Sequence, residues 1–334
     1  MIIGATKYFQ VAVEASEDSV DAADLRVGHL ANLALSRLAY SVALYETSQT
    51  GGRSGLFDVA LYYYRKVPVD STNYVNALYE SGWSYFLKGD TKRGMGIFHT
   101  MDGPDWDEEF LPDMYLLEAT VFMNLCRFDN ARQALRRFEK RYMALQSPIQ
   151  RYLEAYPSPE EMYDAFVLQK TKAGATLPRM VRLAVLSDNE FYDQYTTVTQ
   201  YRREVAAIKN RSTPLGSDLS GRLLDVVENR KREDTVGLGL KITEILENLN
   251  NELEGLSANM DEIEADILSS DIERIEEEIQ AAYKNNLDVV AQASAEQRAS
   301  AIIGSTYMTW PFEGEYWSDE VNSYRSELKE QCGR

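Results

Sequence analysis

Six small or apolar positions, Gly82, Tyr85, Gly89, Gly94, Phe98 and Met101, are separated by 3, 4, 5, 4 and 3 residues. The series recurs without a slip 37 residues later, at Ala119, Phe122, Cys126, Ala131, Leu135 and Phe138. Steps of 3 and 4 place side chains on one face of an α-helix, and the central step of 5 spans Gly89-Asp90 or Cys126-Arg127, where one helix ends and the next begins. Each unit therefore predicts a helical hairpin. Small residues at Gly82 and Gly94, or Ala119 and Ala131, allow the two helices to approach closely, and the aromatic and Leu positions fill the space around them. Half of the signature appears upstream in Ala60, Tyr64 and Val67, 34 residues before Gly94, Phe98 and Met101. Its first helix is predicted over Ala22 to Glu46, with Ala39 and Ala43 as the small positions and a longer polar loop from Thr47 to Ser54. Ala5, Phe9 and Ala12 repeat the 4-and-3 spacing, so the chain is expected to begin on the second helix of a hairpin, inside a truncated repeat.

Beyond residue 156 the pattern changes. Ser158 followed by Pro159 predicts a helix start, and Ser187-Asp188 predicts the cap of a helix over Asn189 to Asn210. Ser212 to Gly216 supplies a turn, after which no proline occurs until past Ile303. Ile242, Leu246, Leu249, Leu253, Leu256, Met260, Ile263 and Ile267 alternate steps of 4 and 3, a heptad seam. The seam slips at Ser269-Ser270-Asp271 and resumes out of phase at Ile272, Ile275, Ile279 and Ala282, which marks either a turn or a stutter in one helix. Gly237-Leu238-Gly239 is expected to bend this region into a long antiparallel hairpin paired within the chain. Four aromatic residues, Trp310, Phe312, Tyr316 and Trp317, surround Pro311 and Gly314 ahead of a last helix to about Glu330. The organisation expected is all-α: helical hairpins over 1–156, connecting helices over 157–215, a long acidic helical hairpin or coiled coil over 216–308, and an aromatic-rich helix over 309–334.

Composition agrees with this and removes function classes. Only 9 Pro and 19 Gly in 334 residues leave long stretches free of helix breakers. A net charge of −18 excludes nucleic acid as a partner, because phosphate recognition needs a cationic face. Between Ile242 and Ala282 there are 13 Asp or Glu against Arg274 alone, read as a solvated outer face or as a docking surface for a cationic partner. No apolar run approaches a membrane span, so direct membrane insertion is not expected, and Met1 to Ser16 lacks the apolar centre of a signal peptide. Cys126 and Cys332 lie far apart without a CxxC neighbour, and neither a zinc site nor a disulfide framework can be read from them. His29 and His99 are the only histidines, and no nucleophile with a base at workable spacing, phosphate loop or calcium loop is present. No catalytic residue, cofactor or metal site is predicted. The enzyme alternative would need distant carboxylates such as Glu118 with Glu154 or Asp164.

The repeated residues resemble the tetratricopeptide repeat family, which prefers small, aromatic, Gly, small, aromatic and bulky side chains at this spacing. The likeness covers roughly residues 1 to 145 and departs from the family in lacking a Trp near the start of each first helix. It implies a helical solenoid whose groove binds a protein or peptide, lined by first-helix residues outside the packing signature. Those candidates are Tyr79, Glu80, Trp83, Tyr115, Glu118 and Asn124, and packing on the neighbouring hairpin is the alternative reading for each. The phrases Tyr79-Glu80-Ser81-Gly82-Trp83-Ser84-Tyr85 and Trp310 to Trp317 also resemble envelope-associated tetratricopeptide proteins of gliding and predatory Gram-negative bacteria. That likeness implies an exported, periplasmic or envelope-associated scaffold in a motility or envelope assembly. The competing expectation is a structural protein that self-associates through its coiled-coil helices.

Overall fold

Four carboxylate or hydroxyl side chains fix where helices start. Asp21, Asp90, Ser158 and Asp188 accept hydrogen bonds from the backbone N–H of Ala23, Arg93, Glu161 and Phe191 at 2.7, 3.3, 3.2 and 2.8 Å, satisfying donors that a helix end leaves orphaned. The computed structural model describes residues 2–103, 106–211, 216–285, 324–326, 329 and 331–332. Every regular element among them is helical. These are α1 (Ile2–Ser16), α2 (Ala22–Thr50), α3 (Leu56–Tyr64), α4 (Tyr74–Lys88), α5 (Thr91–Met101), α6 (Asp113–Asn124), α7 (Phe128–Phe138), a π-helical turn (Glu139–Met143), α8 (Ala144–Ala155), α9 (Pro159–Phe166), α10 (Arg179–Ser187), α11 (Asn189–Asn210) and α12 (Ser217–Asn285). The expectations for 286–308, for the aromatic cluster Trp310 to Trp317 and for the helix to Glu330 lie outside the described residues.

From α1 to α7, each helix packs on the next in sequence. The close approach read from the small residues is present between α4 and α5. A Cβ on Gly82 would fall 2.6 Å from Phe98 Cε1, and one on Gly94 would fall 3.0 Å from the Gly82 carbonyl oxygen. Ala119 and Ala131 are fully buried at the equivalent α6–α7 contact. Both inter-helix turns use the left-handed region, with φ of 90° at Gly89 and 54° at Cys126. The helix α2 runs to Thr50, so the polar loop expected from Thr47 begins only at Gly51, whose φ of 64° ends the helix.

The long helix α12 departs from expectation in its path and its partners. It continues unbroken through Gly237-Leu238-Gly239 and through Ser269-Ser270-Asp271, so the first is not a bend and the second is a stutter. Leu238 is fully buried, and a Cβ at residue 239 would sit 2.0 Å from the Pro159 carbonyl oxygen. Gly239 thus serves close approach to the start of α9 instead of a turn. The hairpin that does form joins α11 to the first part of α12, antiparallel, with Lys209 near Glu228 at 3.6 Å and Lys241 bridging Glu190 at 2.6 Å. The heptad seam then packs on α6, α7, α8 and α9. Ile242, Leu246, Leu253 and Ile267 are buried in one core that reaches back to Leu61, with Leu249, Leu256, Met260 and Ile263 packed at its edge. At about 25 cal/mol per Å² of apolar surface, four buried aliphatic side chains contribute on the order of 8 kcal/mol to holding α12 in place.

Candidate functional site

Five of the six sequence candidates are held by side-chain contacts within the chain, and Asn124 is exposed. Glu80 on α4 accepts from Arg37 of α2, with Nε at 3.0 Å from both carboxylate oxygens and Nη2 at 2.6 Å from Oε1, and the Tyr64 hydroxyl donates to Oε2 at 2.9 Å. This fork ties α2, α3 and α4 together. Trp83 Nε1 donates to the Tyr79 hydroxyl at 2.7 Å, and that hydroxyl is hydrogen-bonded to the Asp113 carboxylate at the start of α6. The charge of Asp113 also acts on Glu252 of α12, which packs on α6. Burial pushes the Asp113 carboxyl above its ordinary value, opposed by the Tyr79 hydrogen bond. Burial and then the Asp113 charge push Glu252 up to about 7, although its outer side stays in solvent. Two carboxylate charges acting on each other across a helix contact favour a proton on one of them.

Tyr115 and Glu118 sit deeper. The Tyr115 hydroxyl donates to Asp102 after α5, Arg137 of α7 pairs with Asp102 and also with Glu118 at 2.6 Å, and Arg141 donates to the Tyr115 hydroxyl at 3.3 Å. Tyr115 and Glu118 are both buried. Burial raises the Glu118 carboxyl while Arg137 beside it opposes the rise. The network clamps α5, α6 and α7 around buried charge, and removing one member would leave the others unpaired.

Asn124 is exposed at the end of α6, where its carbonyl lies 3.8 Å from Cys332 Sγ. Cys126 and Cys332 form a disulfide, with Cα atoms 5.1 Å apart and a sequence separation of 206. Ser326 N donates to the Lys92 carbonyl at 3.0 Å and Gln331 N to the Leu125 carbonyl at 2.9 Å, so a C-terminal strap crosses the α4–α5 and α6–α7 turns. A Cβ on Gly96 would lie 2.1 Å from the Tyr324 carbonyl oxygen, which is why this strap can rest against α5. Sequence reasoning left the disulfide unread. The available signal was that Cys126 takes the repeat position filled by Gly89, a left-handed turn where a non-glycine residue is disfavoured.

Open apolar surfaces among the described residues include a groove and a helix end. An apolar groove of about 710 Å³ runs between α1 and α2, lined by Phe9, Ala12, Leu30, Ala34 and Leu38, with Arg37 and Ser41 at its edge. Val27, also in its lining, is exposed, as are Tyr8 and Val11 of α1. The second is the end of α12, where Leu268, Ile272, Ile275 and Ile279 are exposed. Among the described residues no group of three or more His, Cys, Asp or Glu is placed to hold a metal ion, and no helix is long and apolar enough to cross a membrane. Comparison with protein-family models, with curated proteins and with solved structures returns no match.

Proposed function

We propose that this chain is a non-enzymatic protein–protein interaction scaffold of tetratricopeptide-type hairpins, receiving a segment of a protein partner in the groove between α1 and α2. The observation that carries this reading is the groove itself, an elongated apolar surface on the hairpin array that α12 leaves uncovered. Its walls are two helices, and its apolar lining of Phe9, Val27, Leu30 and Leu38 suits the side chains of a docked helix or extended peptide. The face first expected to bind, around Tyr79, Trp83, Tyr115 and Glu118, is engaged by Asp113 of α6 and by the buried ion network. Self-association through the heptad seam is disfavoured, since Ile242 to Ile267 are used inside the molecule.

A disulfide between Cys126 and Cys332 supports a working place in an oxidising compartment, in keeping with a periplasmic or envelope-associated scaffold. The test is affinity capture from envelope and soluble fractions of the source cell with the full chain as bait, beside a Leu30→Glu, Leu38→Glu variant whose circular dichroism matches wild type. A stoichiometric partner lost from the variant supports the reading. Equal capture by both removes the groove from the account. A mass that doubles with concentration, with no partner captured, favours the self-associating structural protein.

A further inference from the structure

The buried seam of α12 ends at Ile267, and the next apolar residues are offset from it. Leu268, Ile272, Ile275 and Ile279 follow steps of 4, 3 and 4, but their frame is shifted by five residues from the seam pair Ile263 and Ile267, about 140° around the helix. The face that continues the seam becomes polar there. Asp271 pairs with Arg132 of α7 and lies 3.3 Å from Arg274, which closes the docked side. The apolar residues consequently turn away from the hairpin array, and Leu268, Ile272, Ile275 and Ile279 are 58, 57, 48 and 49% exposed. Large aliphatic residues exposed at four successive a and d positions are not what a solvated helix end requires.

In heptad terms Ile272 and Ile279 occupy a, Leu268 and Ile275 occupy d, Asp271 occupies g and Glu276 occupies e. Exposed Glu273 and Glu277 add further negative charge alongside. A second copy of the chain would bring its own Glu273, Glu276 and Glu277 close to these, on top of the repulsion between two molecules of charge −18 each. An anionic membrane surface is repelled in the same way.

We propose that the end of α12, from Leu268 to Ile279, is a docking strip for a cationic amphipathic helix of a partner protein, with apolar residues on the strip and Lys or Arg beside the exposed carboxylates of Glu273, Glu276 and Glu277. This strip is separate from the α1–α2 groove, and either can fail while the other stands.

The test uses the full chain and a fluorescent synthetic helix of three heptads with Leu and Ile at a and d and Lys at e and g, beside the same helix with Glu at e and g. Anisotropy titrations are expected to show binding of the Lys helix, tighter than the Glu helix by on the order of 10-fold, with the difference shrinking at high salt. An Ile272→Ser, Ile275→Ser, Ile279→Ser variant is expected to weaken the Lys helix on the order of 10-fold or more while leaving thermal unfolding unchanged. A Glu273→Lys, Glu276→Lys variant should reverse the preference between the two helices. Equal affinity for both helices, or undiminished binding by the Ser variant, overturns the proposal. It is also overturned if the strip proves covered by a second copy, seen as concentration-dependent mass lost in the Ser variant. Coverage by the chain's own residues 286–323, seen as binding that appears only after their removal, overturns it equally.

Discussion

At the scale of single residues, the glycines of α12 separate two roles that look alike in sequence. A Cβ at residue 239 meets the Pro159 carbonyl at 2.0 Å, whereas one at residue 255 meets nothing within 4 Å. Gly239→Ala is therefore expected to destabilise by about 2–3 kcal/mol through overpacking, and Gly255→Ala to stabilise by about 0.5–1 kcal/mol through helix propensity. Urea unfolding of the two variants checks both signs. Glu252 gives a pH signature. Its carboxyl is raised to about 7 in the folded chain, above the ordinary 4.5, so the folded state holds the proton more tightly than the unfolded state. The contribution is fully present below about pH 4.5 and is lost as pH rises through about 7. With solvent on its outer side the effect is reduced to roughly 1 kcal/mol. Glu252→Gln should leave the melting temperature unchanged near pH 4.5 and raise it by about 2 °C at pH 8. None of this was legible from sequence, because Asp113 and Glu252 are 139 residues apart and only the packing of α12 on α6 brings them together.

Among the elements, periodicity revealed which faces are apolar but not what covers them. The 3-4-5-4-3 series located the α4–α5 and α6–α7 hairpins, and Ser158 and Asp188 marked the starts of α9 and α11. The seam Ile242 to Ile267 was equally visible, yet a heptad pattern is satisfied by any complementary apolar surface. Here that surface is α6 to α9 instead of a second long helix. The bend expected at Gly237-Leu238-Gly239 failed because glycine marks both turns and close approaches, and the sequence does not show Pro159 opposite. Leu253→Ala, at the buried centre of the seam, is expected to cost about 2–5 kcal/mol, whereas Ile275→Ala, on the exposed strip, should lie within about 0.5 kcal/mol of wild type. Thermal or urea denaturation of the pair distinguishes a seam used internally from one that awaits another chain.

For the whole molecule, the disulfide joins the α6–α7 turn to the C-terminal strap across nearly two thirds of the chain. Closing so long a loop restricts the unfolded state by up to about 5 kcal/mol in the chain-entropy picture. Cys332→Ser is expected to lower the melting temperature and to abolish the further drop that a reductant causes in wild type. Equal sensitivity of both proteins to reductant would mean the bridge does not form. The six residues first expected to contact a partner were chosen for being first-helix side chains outside the packing signature. Five of them make hydrogen bonds within the chain, to each other on α4 or to groups on α2, α3, α6, α7 and Asp102 after α5.

Hydrogen exchange along α12 addresses the central claim most directly, that one helix is core over its seam and a free docking arm beyond it. Amides from Ile242 to Ile267 are expected to exchange only with global unfolding, and those past Asp271 to exchange faster by several orders of magnitude. Uniformly fast exchange across 242–285 would contradict the account, since α12 would then not be docked on the hairpins and the face it covers would be open to partners.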